Sequence, residues 1–195
     1  KIVGPGNKYV TAAKLRCYGQ VDIDMPAGPS EVLILADETA NPEYMSWDVL
    51  AQSEHDENAQ TVIATTSRGL AEKVLEKVRI QAKEIKRKKI IDKSLENLSI
   101  IVFNQLDEAI DFANHYAPEH LEVMTRQPNT TAEKIMNAGA VFIGEYSPVA
   151  AGDYASGGNH VLPTGGAARF SSQLNTGDFM KTTSIQEITR EGLTG

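Results

Sequence analysis

Short apolar runs rich in β-branched residues alternate with longer segments at helical spacing, and this alternation constrains the chain to an α/β fold, a sheet with covering helices. The runs predict strands over Val21 to Asp24, Glu31 to Ala36, Thr61 to Thr65, Ser99 to Phe103, His120 to Met124 and Ala140 to Ile143. Between them, Asn41 followed by Pro42 reads as an N-cap with proline at the first helical position, opening a helix that extends to about His55. Leu70, Val74, Val78 and Ile85 share roughly one face of a second, amphipathic helix. Leu106 to His115 and Thr131 to Asn137 supply two more, with Gly139 as a C-cap for the latter. From Gly144 to Asp178 the periodicity gives way to a long stretch rich in Gly, Ser and Asn, a length that marks a functional loop in a compact domain.

Charge and composition exclude whole classes of function. With 41% hydrophobic and 23% charged residues the 195-residue chain is globular, and no run approaches the roughly 18 apolar residues of a membrane helix. A formal charge of -7 argues against nucleic acid as a partner, since phosphate binding rests on clustered cations. The one basic run, Lys86 to Lys89, reads as a solvated helix end. Cys17 has no second cysteine to pair with, and no charged-then-apolar leader precedes the first strand, so the expected setting is a reducing cytoplasm. The opening Lys1-Ile2-Val3-Gly4-Pro5-Gly6, without Met, reads as the middle of a domain and points to a fragment.

Three constellations carry possible chemistry. Gln52 and His55 stand three apart at the end of the helix from Pro42, where both can reach one metal ion or ligand, and where His55 serves equally as a favourable charge at a helix C-terminus. In Ala117-Pro118-Glu119-His120 the proline ends a helix and sets an acid beside an imidazole at the sheet edge. That pair suits proton transfer, and is also what a simple turn can carry. Asp153 and His160 lie in the glycine-rich loop Ala151 to His160, where a carboxylate and an imidazole can converge on zinc, or the glycines can serve plain turns. Met45, Trp47 and His115 read as packing or capping residues. No Gly-x-Gly-x-x-Gly follows a predicted strand. Gly4-Pro5-Gly6-Asn7 is the nearest glycine turn before a helix, whose first amides can receive an anion.

The strings GPGNKYVTAAK, DMPAGPSEVLILAD, AQSEH, APEHLEV, SPVAAGDYASGGNHVLPTGGAARFSS and SIQEITREG, in this order, resemble the histidinol dehydrogenase family over essentially the whole chain. The resemblance covers about the second half of a family chain. It implies an incomplete Rossmann-like sheet: residues 1–29 end one subdomain, 30–175 form the main α/β domain and 176–195 begin a C-terminal extension. It also implies NAD-dependent, zinc-assisted oxidation of L-histidinol to L-histidinaldehyde and then to L-histidine.

Residue by residue, the resemblance makes Gln52, His55 and Asp153 zinc ligands and Glu119 and His120 the acid/base pair. His120 takes the alcohol proton and Glu119 activates water. Ser30 and His160 match substrate contacts, as do the ligands and the acid/base pair, and Asn7 matches a position in the NAD site. A homodimer partner is expected to complete the site, because a fourth zinc ligand and a substrate-binding glutamate come from a tail beyond Gly195. Little activity is therefore expected of these residues alone. Two other readings remain: a zinc hydrolase in which Glu119 is general base to water held by Gln52, His55 and Asp153, and a folded, non-catalytic fragment.

Overall fold

The computed structural model describes residues 1–195. After helix α1 (Lys8–Cys17) the chain alternates β1 (Glu31–Ala36), α2 (Pro42–Ser53), β2 (Gln60–Thr65), α3 (Arg68–Gln81), α4 (Lys88–Ser94), β3 (Leu98–Val102) and α5 (Leu106–Tyr116). There follow β4 (His120–Met124), α6 (Pro128–Ala132), β5 (Ala140–Ile143), α7 (Val149–Tyr154) and α8 (Arg190–Thr194). The five strands form one parallel sheet in the order β3-β2-β1-β4-β5. No helix is long and apolar enough to cross a membrane.

Burial explains the strand sequences. All six residues of β1 and all five of β4 are buried, because central parallel strands are covered on both faces and so read as continuous apolar runs. Val32, Ile34 and Ala36 point to one face, where they pack with Met45, Val49 and Leu50 of α2 and Leu70, Val74 and Val78 of α3. Leu33 and Leu35 point to the other, against Ala109, Ile110 and Ala113 of α5. Each buried aliphatic side chain contributes about 1.5–3 kcal/mol relative to exposure.

The structure departs from the sequence expectations at several places. Val21 to Asp24 is not a strand: only isolated bridges, Ile2 to Ile23 and Tyr18 to Val21, touch it, too few to build a ladder. α2 ends at Ser53, two residues short of His55. α3 ends at Gln81, so Ile85 packs on the core from the turn that follows. Lys88 and Lys89 begin α4 rather than ending a helix. The helix expected over 131–137 lies earlier and is shorter, opened by Pro128 at its first position.

Gly139 is no C-cap; a Cβ there would stand 2.6 Å from the carbonyl oxygen of Glu119 and 3.1 Å from Cδ of Pro163. Close approach of backbone to backbone is what demands glycine at that position.

A cleft at the amino edge of the sheet

Ser30 and Glu31 open β1, and Glu119 and His120 open its parallel neighbour β4, so the pairing of these strands sets four polar residues side by side at the amino edge. The turn into β4 is made by Ala117, which caps α5 in a left-handed conformation (φ 53, ψ 62) and bonds its N–H to Ala113. A non-glycine residue held there stores on the order of 1–3 kcal/mol of strain. Pro118 follows, and Glu119 is delivered to the sheet edge.

Glu31 organises the pair through its backbone. Its N–H donates to Oε2 of Glu119 at 3.0 Å, and its carbonyl oxygen lies 3.2 Å from Nδ1 of His120. Ser30 adds its hydroxyl to the same Oε2 at 2.9 Å and receives Nε2 of Gln52 at 3.2 Å. Both members of the pair are buried, Glu119 at 8% and His120 at 7% exposure. Burial raises the Glu119 carboxyl above its ordinary value, although the Glu31 amide and Ser30 hydroxyl hold it back. Burial lowers the His120 imidazole, so the ring is neutral near pH 7. A neutral ring facing a carbonyl through Nδ1 carries its proton there, leaving the Nε2 lone pair as the base.

The remaining candidates stand around the same cleft of about 550 Å³, lined by Ser30, Gln52, His55, Glu119, His120, Asp153 and His160 among others. Gln52 is buried in the last turn of α2, while His55 sits in the turn beyond, brought back by its N–H bond to the Gln52 carbonyl. Asp153 is on α7, and its Oδ1 lies 3.0 Å from Nδ1 of His160, so the two meet across the glycine-rich loop. Gly152 lets α7 approach the sheet: a Cβ there would stand 2.6 Å from the Phe142 ring. No three His, Cys, Asp or Glu side chains are gathered as ligands. An amide oxygen, an imidazole and a carboxylate on one cleft wall nonetheless suit a borderline divalent cation such as zinc.

Asn7 stands apart. It does not line the cleft, and its Oδ1 caps α1 by accepting from the amides of Tyr9 and Val10. The anion site expected at that helix start is therefore filled by the chain's own cap; Gly4, Pro5 and Gly6 before it do reach the cleft.

Sequence reasoning passed over Glu31, whose side chain accepts from Gly165 N–H at 2.8 Å and Tyr116 OH at 3.3 Å and ties the glycine-rich loop to β1. It also passed over Glu122, a carboxyl 1% exposed in the middle of β4. The available signal in both cases was an acid inside a run buried on both faces.

The strand order, with β1 flanked by β2 on one side and β4 on the other, defines a Rossmann-like α/β domain with its cleft at the amino edge. The Thermotoga maritima gamma-glutamyl phosphate reductase shares that fold at TM-score 0.54 and 16% identity, covering 86% of this chain and 49% of that one. The histidinol dehydrogenase family model matches residues 1–195, and the chain belongs to that family.

Histidinol dehydrogenase of Methanothermobacter thermautotrophicus is 59% identical over 194 residues, covering 99% of this chain and 46% of the relative. That of Aquifex aeolicus is 50% identical over 193 residues, 98% of this chain and 45% of the relative. The crystal structure of the Elizabethkingia anophelis enzyme superposes at TM-score 0.92 with 44% identity, covering 98% of this chain and 45% of that one. The chain thus spans about half the length of the curated relatives it matches.

Proposed function

We propose that these residues form the catalytic half of an enzyme that oxidises L-histidinol to L-histidine through L-histidinaldehyde, the closing steps of histidine biosynthesis. The observation that carries this is the Glu119–His120 pair: an acid raised and an imidazole lowered by burial, both held by Glu31 and opening on one cleft with Gln52, His55 and Asp153. Family membership supplies the substrate; the geometry supports the roles.

Zinc, when bound, contributes Lewis-acid anchoring of the substrate amine and imidazole, and Gln52, His55 and Asp153 are the residues that would hold it. NAD, when bound, accepts the two hydrides; Asn7, beside the Gly4–Gly6 edge of the cleft, is the position proposed to contact it. In the first oxidation His120 removes the alcohol proton through Nε2 as hydride leaves the carbon. In the second, Glu119 takes a proton from the water as its oxygen adds to the aldehyde carbon, and the resulting gem-diolate loses hydride to give the acid. Ser30 holds the Glu119 carboxylate on its far side, and His160 orients Asp153. Segments outside these residues, including a homodimer partner, complete the ligand set.

The test places these residues within a family-length chain, adds zinc, NAD and L-histidinol, and follows absorbance of the reduced nicotinamide. Reduction of two NAD per histidine formed, lost in His120→Asn, is expected. Zinc-dependent hydrolysis without any nicotinamide signal would replace this reading with a hydrolase.

A further inference from the structure

α7 carries Asp153, yet it has no buried residue of its own and no side-chain cap at Pro148. Besides Val149 on the core and Gly152 against the Phe142 ring, a polar side chain from the sheet fastens it. Glu122, on β4 two residues past His120, is 1% exposed and accepts the N–H of Val149, the first residue of α7, at 3.0 Å through Oε1. That N–H is one of the four amides every helix start leaves without an internal partner. Glu122 shares its face with Ile34 and Met124, in register with Ile34 of β1 and Phe142 of β5. Its Oε2 is buried with no partner in the chain, and Asp48 on α2 is the charged group that acts on it most strongly. α2 and α7, the helices that position Gln52, His55 and Asp153, thus converge on one buried carboxyl.

A buried acid in such surroundings needs a reason, since an unpartnered buried oxygen costs about 1–3 kcal/mol that an apolar side chain would avoid. We propose that Glu122 is a positioning residue: it caps α7 from the sheet and thereby sets where Asp153 stands relative to Gln52 and His55. This rests on the reading of Asp153 as a metal ligand. Burial raises the Glu122 carboxyl well above its ordinary value and so favours the neutral form, and the bond to α7 uses the acceptor at Oε1, which needs no charge. Glutamine offers the same acceptor; methionine fills the same space without it.

The experiment uses the family-length protein and two readouts: hydrogen exchange at the amides of 149–154, and zinc affinity by competition with a chromophoric chelator. In Glu122→Met the α7 amides exchange at least about 10-fold faster and zinc binds about 10-fold more weakly, the loss usual when an outer partner of a ligand is removed. Thermal stability is unchanged or higher, while Glu122→Gln keeps both properties. Val149→Pro, which deletes the donor at a helix position that tolerates proline and leaves an apolar side chain of similar bulk against the core, reproduces the zinc loss and decides the matter if Glu122→Met fails to fold.

Wild-type zinc affinity in Glu122→Met or Val149→Pro, with weakened binding in Asp153→Asn, overturns the positioning role alone. Zinc affinity unmoved by Asp153→Asn overturns the ligand reading and this role with it.

Discussion

The hydroxyl of Ser30, the residue before one strand, donates at 2.9 Å to Oε2 of Glu119, the residue before its parallel neighbour. The same oxygen takes the Glu31 amide at 3.0 Å, so two donors stabilise the ionised form of a carboxyl that burial pushes towards neutrality. Ser30→Ala removes one of them and also the acceptor of Gln52. The expected outcome is a further rise in the Glu119 pKa and a drop in kcat/KM of about 10-fold or more, the scale of one preorganised hydrogen bond. A pH–rate profile of the aldehyde oxidation, measured for both proteins, shows it as a basic limb of activity retained while activity near neutrality falls.

His120 sets the acid limb of the first oxidation. Its imidazole pKa lies below the ordinary 6.5 because burial penalises the charged ring. The base form therefore persists to lower pH than for an exposed histidine, and the acid limb of kcat/KM with L-histidinol falls below pH 6.5. An acid limb above that value would show that the ring is not neutral in the cleft.

Asp48 and Glu122 predict a stability effect. Burial raises Asp48 to about 7 from 3.8, and raises Glu122 well above 4.5 with Asp48 adding to the effect. Carboxyls raised in the folded state favour folding while protonated, so their contribution is complete below about pH 4 and is lost as pH climbs towards 7 and beyond. Asp48→Asn and Glu122→Gln should each flatten that decline, raising stability at pH 8 by on the order of 1–2 kcal/mol and changing it little at pH 4. Denaturant unfolding at the two pH values measures it; equal gains at both would contradict the assignment.

Gly139→Ala forces a methyl to within 2.6 Å of the Glu119 carbonyl, against backbone that β5 has already bonded through Ala140 N–H at 2.9 Å. Overpacking of this kind costs about 1–3 kcal/mol. Lower thermal stability together with lost activity is expected, since the displaced segment carries Glu119.

These details divide what the chain's letters disclose from what they hide. β1 and β4 fall on their expected bounds because a strand buried on both faces leaves a mostly apolar signal between polar turns, and β5 does so as an edge strand whose residues alternate between half-buried and exposed. Val21 to Asp24 carries a similar signal and is no strand, since a ladder depends on a partner strand and not on the run itself. Asp153 and His160 are brought to 3.0 Å by a loop whose glycines show only that it bends. The backbone of Glu31, which holds both Glu119 and His120, has no side-chain signature at all.

The absence of a dinucleotide fingerprint goes with a cleft on the less usual edge of the sheet. Ligands of open α/β sheets ordinarily lie at the carboxyl ends of the strands. Here that edge carries a smaller hollow of about 290 Å³ lined by Asp37, Arg126 and Lys134 among others, with Asp37 accepting the Arg126 N–H at 2.7 Å and the exposed Arg126–Glu38 and Lys134–Asp107 pairs beside it. The candidate chemistry lies at the opposite edge.

The division of labour between the two residues of the pair is tested most directly by supplying the alcohol and the aldehyde separately. In a family-length chain with zinc and NAD, His120→Asn should lose L-histidinol oxidation far more than L-histidinaldehyde oxidation, and Glu119→Gln should do the reverse. Equal losses on both substrates in both variants would contradict the assignment of one proton transfer to each.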